Sequence, residues 1–499
     1  MDMSLWAGLG GASRNACVSL CTDDEIVGIC EQERITRVRA AGLNSTGMPD
    51  EALDELLLRS RRHRRDITAY AIAENDNPPA GVELLRLNHH FAHACAAFLP
   101  SPFESATIIV CDHDLPRISV WDGDGDTLTQ VAWPWHGIGF AELYSQCAEA
   151  IGFSAVGREQ RMEALARLEP GRHENAAERL FHLAEDRLGL APDWKTQVES
   201  WTRSGDLQKR SWVAAALQSR IGDLLIEFCA EAQRRGPARR HLCVGGSLFN
   251  NSHFNSMVKR STAFDQVFVP INPDNAGLAV GTALHVSTRP RRVVTPFLGP
   301  SYNPEDIKAT LDNCKLTYQW TSESDSLAIV VRALLNGRLV AWFDGPMEWG
   351  PRALGARSIV ASPFCRYVLD NLNQFLKQRD PWRGYALSGL DTSIREHFDG
   401  PDSSPFMECD YAPKDHKQFG YILPSPTASV RVHTVGSDAP PRFRALLRAF
   451  GEATGIPILV NTSFNGFREP IVCSPRDAVR VFYGTGVDVL AVGQFVISK

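Results

Sequence analysis

Residues 342–358 read WFDGPMEWGPRALGARS. The apolar run at 339–343 before Asp344 predicts a buried strand, which Gly345 and Pro346 end. Arg352 and Arg357 follow among glycines, and a glycine-rich backbone can approach a ligand closely while guanidinium groups bind phosphate or carboxylate. Composition alone favours a glycine-rich turn with two solvated arginines. An anion site is the second interpretation.

Size and composition indicate a large globular protein. The chain has 499 residues, of which 44% are hydrophobic and 22% charged, so we expect two large domains or more. The net charge of -6 argues against a nucleic-acid-binding surface. We find no signal peptide, no membrane-length apolar run and no CxxC pair among the 12 cysteines. These features predict a cytoplasmic protein without nucleic-acid or membrane partners.

The chain divides at a segment rich in proline and arginine. Residues 3–40 read as a strand pair and residues 49–65 as an amphipathic helix. The composition changes at 287–301, which separates predicted domains at 1–288 and 296–499. Beyond it, helical and strand patterns alternate, so the second domain is predicted to be α/β. Residues 399–413 are polar and read as a surface loop.

Two histidines stand one helical turn apart. His89 and His93 lie in NHHFAHACAAF, where Asn88 can cap a helix, and residues four apart share a helix face. Asp112 ends an apolar strand and Asp274 precedes a helix. Two imidazoles with one or two carboxylates suit iron(II) or a similar divalent metal. The alternative is that the histidines are surface or satisfied polar groups.

Two motifs resemble a known family. GPMEWGPRALGARSI resembles the carboxy-terminal signature of the nodulation- and antibiotic-type (tobramycin-type) O-carbamoyltransferases, and LNHHFAHACAAFLPSPF is similar to their HHxAHAxxAFxxSPF string. The resemblance implies an amino-terminal TsaD-like domain on the duplicated, actin-like ASKHA fold. It also implies a carboxy-terminal YrdC-like α/β domain that forms carbamoyl-adenylate. The resemblance covers nearly the whole chain.

The resemblance also implies site residues. The metal ligands would be His89, His93 and Asp112, with either Asp274 or, by strict spacing, Asn275. GGSLFNN is like the family's GGxxxN, which implies that Gly245, Gly246 and Asn250 line a nucleotide. In the second half, the residues that match those holding ATP and the carbamoyl donor are Arg352, Arg357, Lys377, Arg379, Arg383, Asn461, Ser463 and Asn465. Of these, Arg352, Arg357, Lys377 and Arg379 are the catalytic candidates.

Several positions depart from the family pattern. Arg14 and Asn15 stand where a His-Asp pair is usual, and the histidine there looks catalytic for transfer. Where the family has glycines after the metal aspartate, in the string DGxGE, this chain has His113, Asp114 and Leu115. Residues 157–166 read GREQRMEALA, which is like the family's GxExKxMGLA, but Glu163 and Ala164 replace its methionine and glycine. Bulky or acidic side chains in a phosphate loop obstruct a nucleotide, so the first site can bind its nucleotide differently or hardly at all.

The leading hypothesis is an ATP-dependent carbamoyltransferase. It would use ATP with Mg²⁺ and carbamoyl phosphate to make carbamoyl-adenylate, and a site with a divalent metal, most simply Fe²⁺, would pass the carbamoyl group to a hydroxyl of a small-molecule natural product. One alternative is an amine acceptor, which needs less help from a base. Another is a non-catalytic partner of an intact carbamoyltransferase. A homodimer or pairing with a related subunit is expected.

Overall fold

The computed structural model describes residues 4–73, 84–154, 156–169, 177–261, 263–289, 291 and 293–499. In these ranges the strands form two five-stranded sheets, a ten-stranded sheet and a two-stranded ribbon. The strands are β1 (Leu5–Gly10), β2 (Cys17–Thr22), β3 (Ile26–Glu31), β4 (Ile67–Ala73), β5 (Leu84–Leu87), β6 (Ser105–Cys111), β7 (Ile118–Asp124), β8 (Thr127–Gln130), β9 (Phe181–Leu183), β10 (Leu188–Leu190), β11 (His241–Gly245), β12 (Gln266–Phe268), β13 (Gln319–Trp320), β14 (Val340–Phe343), β15 (Arg357–Ala361), β16 (Ala386–Leu390), β17 (Phe398–Asp399), β18 (Cys409–Pro413), β19 (Val430–Val435), β20 (Ile458–Ser463), β21 (Val489–Val492) and β22 (Phe495–Ser498).

Helices cover the sheets. The described α-helices are α1 (Gln32–Thr36), α2 (Asp50–Arg59), α3 (His89–Phe98), α4 (Phe140–Ala150), α5 (Arg158–Ala166), α6 (Trp194–Thr202), α7 (Leu207–Arg235), α8 (Ser252–Arg260), α9 (Leu278–Val286), α10 (Pro304–Asn313), α11 (Glu323–Leu335), α12 (Val368–Asp370), α13 (Asp391–His397), α14 (Pro441–Thr454) and α15 (Pro475–Gly484). A π-helix spans Asn371–Lys377. Within the described ranges, no helix combines the length and the apolar composition that a membrane crossing needs.

The first two sheets have the same topology. The order of the first is β3-β2-β1-β4-β5, with β1 to β3 antiparallel and β4 and β5 parallel to β1. The second repeats it as β8-β7-β6-β11-β12, with the same directions. This repetition confirms the duplicated, actin-like ASKHA fold predicted for the amino-terminal region.

Helices α3 and α9 pack between these sheets at positions where alanine and glycine allow close contact. A Cβ on Gly8 of β1 would lie 2.1 Å from the Ala279 carbonyl oxygen of α9, and one on Gly281 would lie 2.5 Å from the Ala92 carbonyl oxygen of α3. Such close backbone approach requires glycine. The packing places the amino-terminal end of α3 beside the carboxyl end of β6, which is where Asp112 lies.

The ten-stranded sheet occupies the second half. Its order is β13-β22-β21-β14-β15-β20-β16-β19-β18-β17. The mixed α/β class predicted for this half is confirmed, while its YrdC-like character and the division at 1–288 and 296–499 stay predictions. The predicted strand before Gly345 is β14, and the following loop returns to the sheet as β15.

Two local predictions were wrong. The helix expected over 49–65 ends at Arg59, because Arg61 adopts a left-handed φ of 55° and the charged residues after it supply no apolar face. The loop expected over 399–413 contains β18, which pairs with β19 and buries Cys409, Asp410 and Tyr411. Asp399 and Asp402 are exposed, as expected of a loop, but Glu408 and Asp410 are buried and pair with Lys259 and Arg167.

The motif loop between β14 and β15 packs against the first half. Trp349 is 4% exposed and belongs to the same buried apolar cluster as Ile271 and Val280. Its indole Nε1 donates to the Thr295 carbonyl oxygen at 3.1 Å. Arg34, which follows β3, donates to the Gly350 carbonyl oxygen at 2.8 Å. The stretch that carries the family motif therefore also joins the two halves.

Replacing Trp349 tests this contact. We expect Trp349→Ala to lower the free energy of unfolding by about 3–5 kcal/mol, because it removes a large buried side chain and leaves a cavity. Trp320→Ala is the matched control, since Trp320 is 62% exposed, and its cost should stay below about 1 kcal/mol. Urea denaturation followed by circular dichroism measures both. Equal costs would contradict the assigned packing.

Candidate functional site

The histidine pair begins helix α3. Asn88 caps this helix, because its side chain accepts from the Phe91 backbone N–H at 3.2 Å, as the sequence predicted. The His89 and His93 rings lie on consecutive turns with centroids 4.8 Å apart. Both side chains are buried, at 7% and 1% exposure, so the surface interpretation of the pair is wrong.

Asp112 joins the pair from the end of β6. Its Oδ2 lies 3.0 Å from His89 Nε2 and 3.5 Å from His93 Nε2. Its Oδ1 accepts from the Ser247 backbone N–H at 3.0 Å. Burial opposes ionisation, but the hydrogen bond with His89 and the nearby His93 imidazole hold the pKa of Asp112 well below its usual value.

These three side chains fit a divalent cation. Their donor atoms all lie within 4.8 Å of one another. His93 Nε2 is buried and has no hydrogen-bond partner among the described residues. Two imidazoles and a carboxylate are donors that Fe²⁺ and similar metals accept.

The fourth predicted ligand lies elsewhere. Among the described residues, Asp274 does not belong to this group of donor atoms. Its Oδ2 accepts from the Asn250 side chain at 3.1 Å, and its Oδ1 accepts from the Asn275 backbone N–H at 2.8 Å. The Asn275 Oδ1 is buried without a partner in the described structure. The structure therefore brings together His89, His93 and Asp112 but not Asp274 or Asn275.

The glycine motif sits against the same cluster. Gly246 has a φ of 95°, and a Cβ there would lie 2.2 Å from the Cys111 carbonyl oxygen. A Cβ on Gly245 would lie 3.1 Å from the His93 carbonyl oxygen. The two glycines thus let the end of β11 meet β6 and α3, which is a packing reason for this part of the motif.

His113 fills the loop after Asp112. Its Nδ1 lies 2.9 Å from Ser247 Oγ, and its Nε2 lies 2.8 Å from Ser145 Oγ. Ser145 in turn donates to Glu159 at 2.7 Å. A fixed imidazole therefore occupies the loop that carries glycines in the family pattern.

Glu163 forms an ionic cluster that the sequence did not predict. This side chain is 4% exposed and pairs with Arg167 and, at 2.8 Å, with Arg431 of β19. The Ser252 hydroxyl donates to it at 2.8 Å. Arg167 also pairs with Asp410 at 2.9 Å. Burial would raise the pKa of Glu163, but Arg167 and Arg431 lower it well below its usual value.

The sequence did contain one signal for this cluster, because Glu163 stands where the family motif has methionine. An acidic residue in an apolar helix position requires a cationic partner when it is buried. Arg431, which pairs with Glu163, and Asp410, which pairs with Arg167, each lie more than two hundred residues further along the chain. Sequence spacing therefore could not identify them.

Arg352 reaches across to the first half. Its Nη2 donates to the Asn250 carbonyl oxygen at 3.0 Å. Burial and the neighbouring Arg431 guanidinium lower the pKa of Arg352 to about 9. Arg352 therefore lies at the contact between the glycine motif and the carboxy-terminal half, with a second cation beside it.

Arg357 is enclosed by backbone. Its side chain is completely buried, and the guanidinium lies 3.6 Å from the Phe343 ring centroid. It donates to the carbonyl oxygens of Pro300, Asp344, Gly345, Ala356 and Cys473. These contacts use its donors to hold the motif loop. Glu348, also missed from the sequence, accepts from the backbone N–H groups of Leu354 and Arg357 and fixes the same loop.

Lys377, Ser463 and Asn465 meet at the end of β20. The Lys377 Nζ donates to the Ser463 carbonyl oxygen at 2.7 Å, to the Asn465 carbonyl oxygen at 3.1 Å and to the Asn465 side chain. Burial and the cations Arg379 and Arg39 lower the pKa of Lys377 well below its usual value. The structure brings these three side chains together.

Arg379 and Arg383 flank this cluster. Arg379 donates to Asn373 Oδ1 at 2.9 Å and lies 3.9 Å from the Tyr385 ring centroid. The Arg383 Nε is buried without a hydrogen-bond partner in the described part of the chain. Burial and Arg379 lower the pKa of Arg383 to about 9. Concentrated positive charge of this kind favours an anionic ligand.

Asn461 supports the sheet beneath. Its Nδ2 donates to the Ala353 carbonyl oxygen at 3.0 Å and to Ser388 Oγ at 2.8 Å. Its side chain is 1% exposed. These contacts tie β20 to the motif loop and to β16.

Comparison with known proteins identifies the family. Residues 331–499 match the model of the carbamoyltransferase C-terminus, and residues 56–284 match the carbamoyltransferase N-terminus. Nodulation protein NolO of Bradyrhizobium diazoefficiens is 30% identical over 437 residues, which cover 83% of this chain and 79% of that protein. The 3'-hydroxymethylcephem-O-carbamoyltransferase of Amycolatopsis lactamdurans is 29% identical, covering 62% of this chain and 58% of its own. The chain belongs to the carbamoyltransferase family and is a transferase.

Solved structures resemble it more distantly. T. kodakarensis HypF superposes with a TM-score of 0.37 at 12% identity, over 56% of this chain and 46% of its own. The activator of 2-hydroxyisocaproyl-CoA dehydratase from Clostridium difficile has a TM-score of 0.38 at 14% identity, over 56% of this chain and 92% of its own.

The Glu163 cluster predicts a pH-dependent stability. The pKa of the Glu163 carboxyl is lower in the folded protein than in the unfolded chain. Its ionised form therefore stabilises the fold at pH values above the unfolded carboxyl pKa of about 4.3, and this stabilisation is lost as the pH falls toward the folded pKa. We expect Glu163→Gln to cost about 3–5 kcal/mol at pH 7, since it leaves buried guanidinium groups without their anion. Denaturation from pH 7 down to pH 3 should show the gap to the unmodified protein narrowing below about pH 4. A gap independent of pH would contradict the assignment.

Proposed function

We propose that this protein is an ATP-dependent carbamoyltransferase that makes carbamoyl-adenylate from ATP and carbamoyl phosphate and transfers the carbamoyl group to a hydroxyl of a small-molecule natural product. The observation that carries the first part is the half-buried meeting of Lys377, Ser463 and Asn465 beside Arg379 and Arg383. The named O-carbamoyltransferase relative supports the second part.

The carboxy-terminal cluster would bind both phosphate-bearing substrates. Carbamoyl phosphate and water give carbamate and phosphate. A carbamate oxygen then forms a bond to the α-phosphorus of ATP, and the bond to pyrophosphate breaks. Lys377, Arg379 and Arg383 would orient the anions and balance the negative charge that develops on the leaving group. Arg357 would act by positioning the motif loop, because its donors are bound to carbonyl oxygens.

The amino-terminal cluster would complete the transfer. His89, His93 and Asp112 would hold a divalent cation, for which Fe²⁺ is our candidate, and a bound cation supplies Lewis-acid polarisation of a carbonyl oxygen. In the transfer, the acceptor oxygen bonds to the carbamoyl carbon, AMP leaves, and the hydroxyl proton is released. The buried position of the cluster would limit the access of water to the reactive anhydride.

Two other functions follow from particular departures. Arg14 stands in the place of the family's histidine, and a guanidinium group is not a general base, which favours an amine acceptor. His113 fills the glycine loop, which favours a non-catalytic partner of another carbamoyltransferase. Adenylation activity separates the enzyme from the non-catalytic partner, and the product formed from alcohol or amine acceptors separates the two enzymes.

Isotope exchange tests the adenylation step. Exchange of labelled pyrophosphate into ATP should require carbamoyl phosphate, and Lys377→Met should lower its rate by about 10²-fold, since loss of one preorganised donor has that order of effect. Lys308→Met is the matched control, because Lys308 is an exposed residue of α10 that pairs with Asp312. Thermal melting establishes that both variants are folded. Exchange without carbamoyl phosphate, or equal rates in the two variants, would contradict the proposal.

The lowered pKa of Lys377 allows a second test of whether this amine lies beside the nucleotide. An anion bound beside this amine would raise its pKa again, so ATP binding at pH 8.5 should be accompanied by proton uptake. Calorimetric titration with ATP in two buffers of different ionisation enthalpy measures that uptake. Lys377→Met should reduce it. Identical binding heats in both buffers for the unmodified protein would show that Lys377 does not face the nucleotide.

A further inference from the structure

A closed loop begins at the end of β20, beside Lys377. The Val472 backbone N–H donates to the Phe464 carbonyl oxygen at 2.9 Å, which closes the base of the loop. Within it, the Asn465 side chain donates to the Glu469 carbonyl oxygen at 2.6 Å. The Lys377 Nζ donates to the Asn465 carbonyl oxygen at 3.1 Å. The loop is therefore held directly against the amine to which the proposed function assigns phosphate binding.

The tip of this loop presents an aromatic ring. Phe467 is 42% exposed, and the guanidinium carbon of Arg468 lies 5.0 Å from the centroid of its ring. Phe467 follows Asn465 by two residues, which the backbone spans in at most about 7 Å. An exposed aromatic face thus lies close to the side chains that would bind phosphate.

The backbone on both sides of the anion site has unusual conformations. Arg468 has a φ of 57°, in the left-handed region that residues other than glycine rarely adopt. Lys377 is the last residue of the π-helix, and Gln378 after it has a φ of 44°. π-helical turns and strained φ values are frequent where proteins bind ligands. The two segments that meet at Lys377 share this property.

The charges of the loop leave the Arg468 guanidinium at the ring. The neighbouring Glu469 pairs with Arg480 of α15 at 3.4 Å, whereas Arg468 contacts the face of Phe467. An aromatic ring beside a guanidinium group binds planar aromatic ligands by stacking. Together with the cations at Lys377, the loop offers one surface for a flat ring and another for phosphate.

We infer that Phe467 binds the base of the nucleotide, stacking on the adenine ring of the ATP whose phosphates bind beside Lys377. The inference rests on the proposed function, which places ATP in this half of the chain. Stacking of a base on an aromatic side chain is worth about 5- to 100-fold in affinity. Phe467 would then distinguish ATP from phosphate compounds that lack a base.

Binding of ATP and of inorganic tripolyphosphate, which has no base, tests the inference. Isothermal titration calorimetry of the full-length protein with Mg²⁺ gives both affinities. Phe467→Ala should weaken ATP binding about 5- to 100-fold and change tripolyphosphate binding by less than about twofold. Phe467→Trp, which keeps an aromatic face, should bind ATP within about threefold of the unmodified protein. Lys377→Met should weaken the binding of both compounds, because it removes a phosphate donor.

Tyr367→Ala is the matched control. Tyr367 is 57% exposed, has a φ of 70° and lies 4.8 Å from the guanidinium carbon of Arg366. It follows the end of β15, whereas Ser463 pairs with Ser358 at the start of that strand. Its replacement should leave both affinities unchanged.

The possible results separate the inference from the proposed function. Phe467→Leu keeps an apolar side chain, so it provides a second variant if the alanine variant does not fold, and it should lose affinity for ATP alone. Unchanged ATP binding in the Phe467 variants, or an equal loss for ATP and tripolyphosphate, would overturn the inference and leave the proposed function standing. Failure of the unmodified protein to bind either compound would overturn both.

Discussion

Burial of the Glu163 carboxylate is the constraint on which the relation between the two halves depends. A buried carboxylate requires compensation, and here most of it comes from Arg167 and, across the contact between the halves, from Arg431 on β19. Ser252 and Asp410 complete the hydrogen bonds, so helix α5, helix α8 and two strands of the ten-stranded sheet meet at one point. Arg352 lies beside this cluster and contacts Asn250 of the glycine motif. The position of a family-motif arginine is thus set by charges from both halves.

Basic residues that look alike in the sequence have different surroundings in the fold. Arg357 binds five carbonyl oxygens and an aromatic face, so its charge stabilises a loop. Lys377 donates to the carbonyl oxygens and the side chains of Ser463 and Asn465, with Arg379 nearby. Arg383 keeps a buried Nε without a partner in the described residues. The second group is the one suited to an anion, because Lys377, Arg379 and Arg383 outnumber the neighbouring Asp380, which also pairs with Arg161.

The features that could be predicted from the sequence are those set by residues close to one another in the chain. The period of α3, its Asn88 cap and the apolar strand before Asp112 together placed His89, His93 and Asp112 correctly, because each signal lies within a few residues of the side chain it positions. The duplicated fold was implied by the resemblance to the family, and the repeated order of the first two sheets confirms it. Asp274 was expected in the cluster because of a motif alone, and its orientation depends on Asn250, which no local pattern reveals. Strand β18 was hidden by its polar composition, since Asp410 finds its cation only in the tertiary structure.

The departures from the family motif are mutually consistent once their contacts are known. His113 is hydrogen-bonded to Ser247 and Ser145, and Ser247 also binds Asp112, so the imidazole that fills the loop also supports the carboxylate. Glu163, which read as an obstruction, is fully engaged with arginines and a serine instead of facing a ligand. The amino-terminal half has exchanged an open glycine loop for a fixed polar network while retaining the histidine pair, so any chemistry there must rely on the His89, His93 and Asp112 cluster rather than on a phosphate cradle.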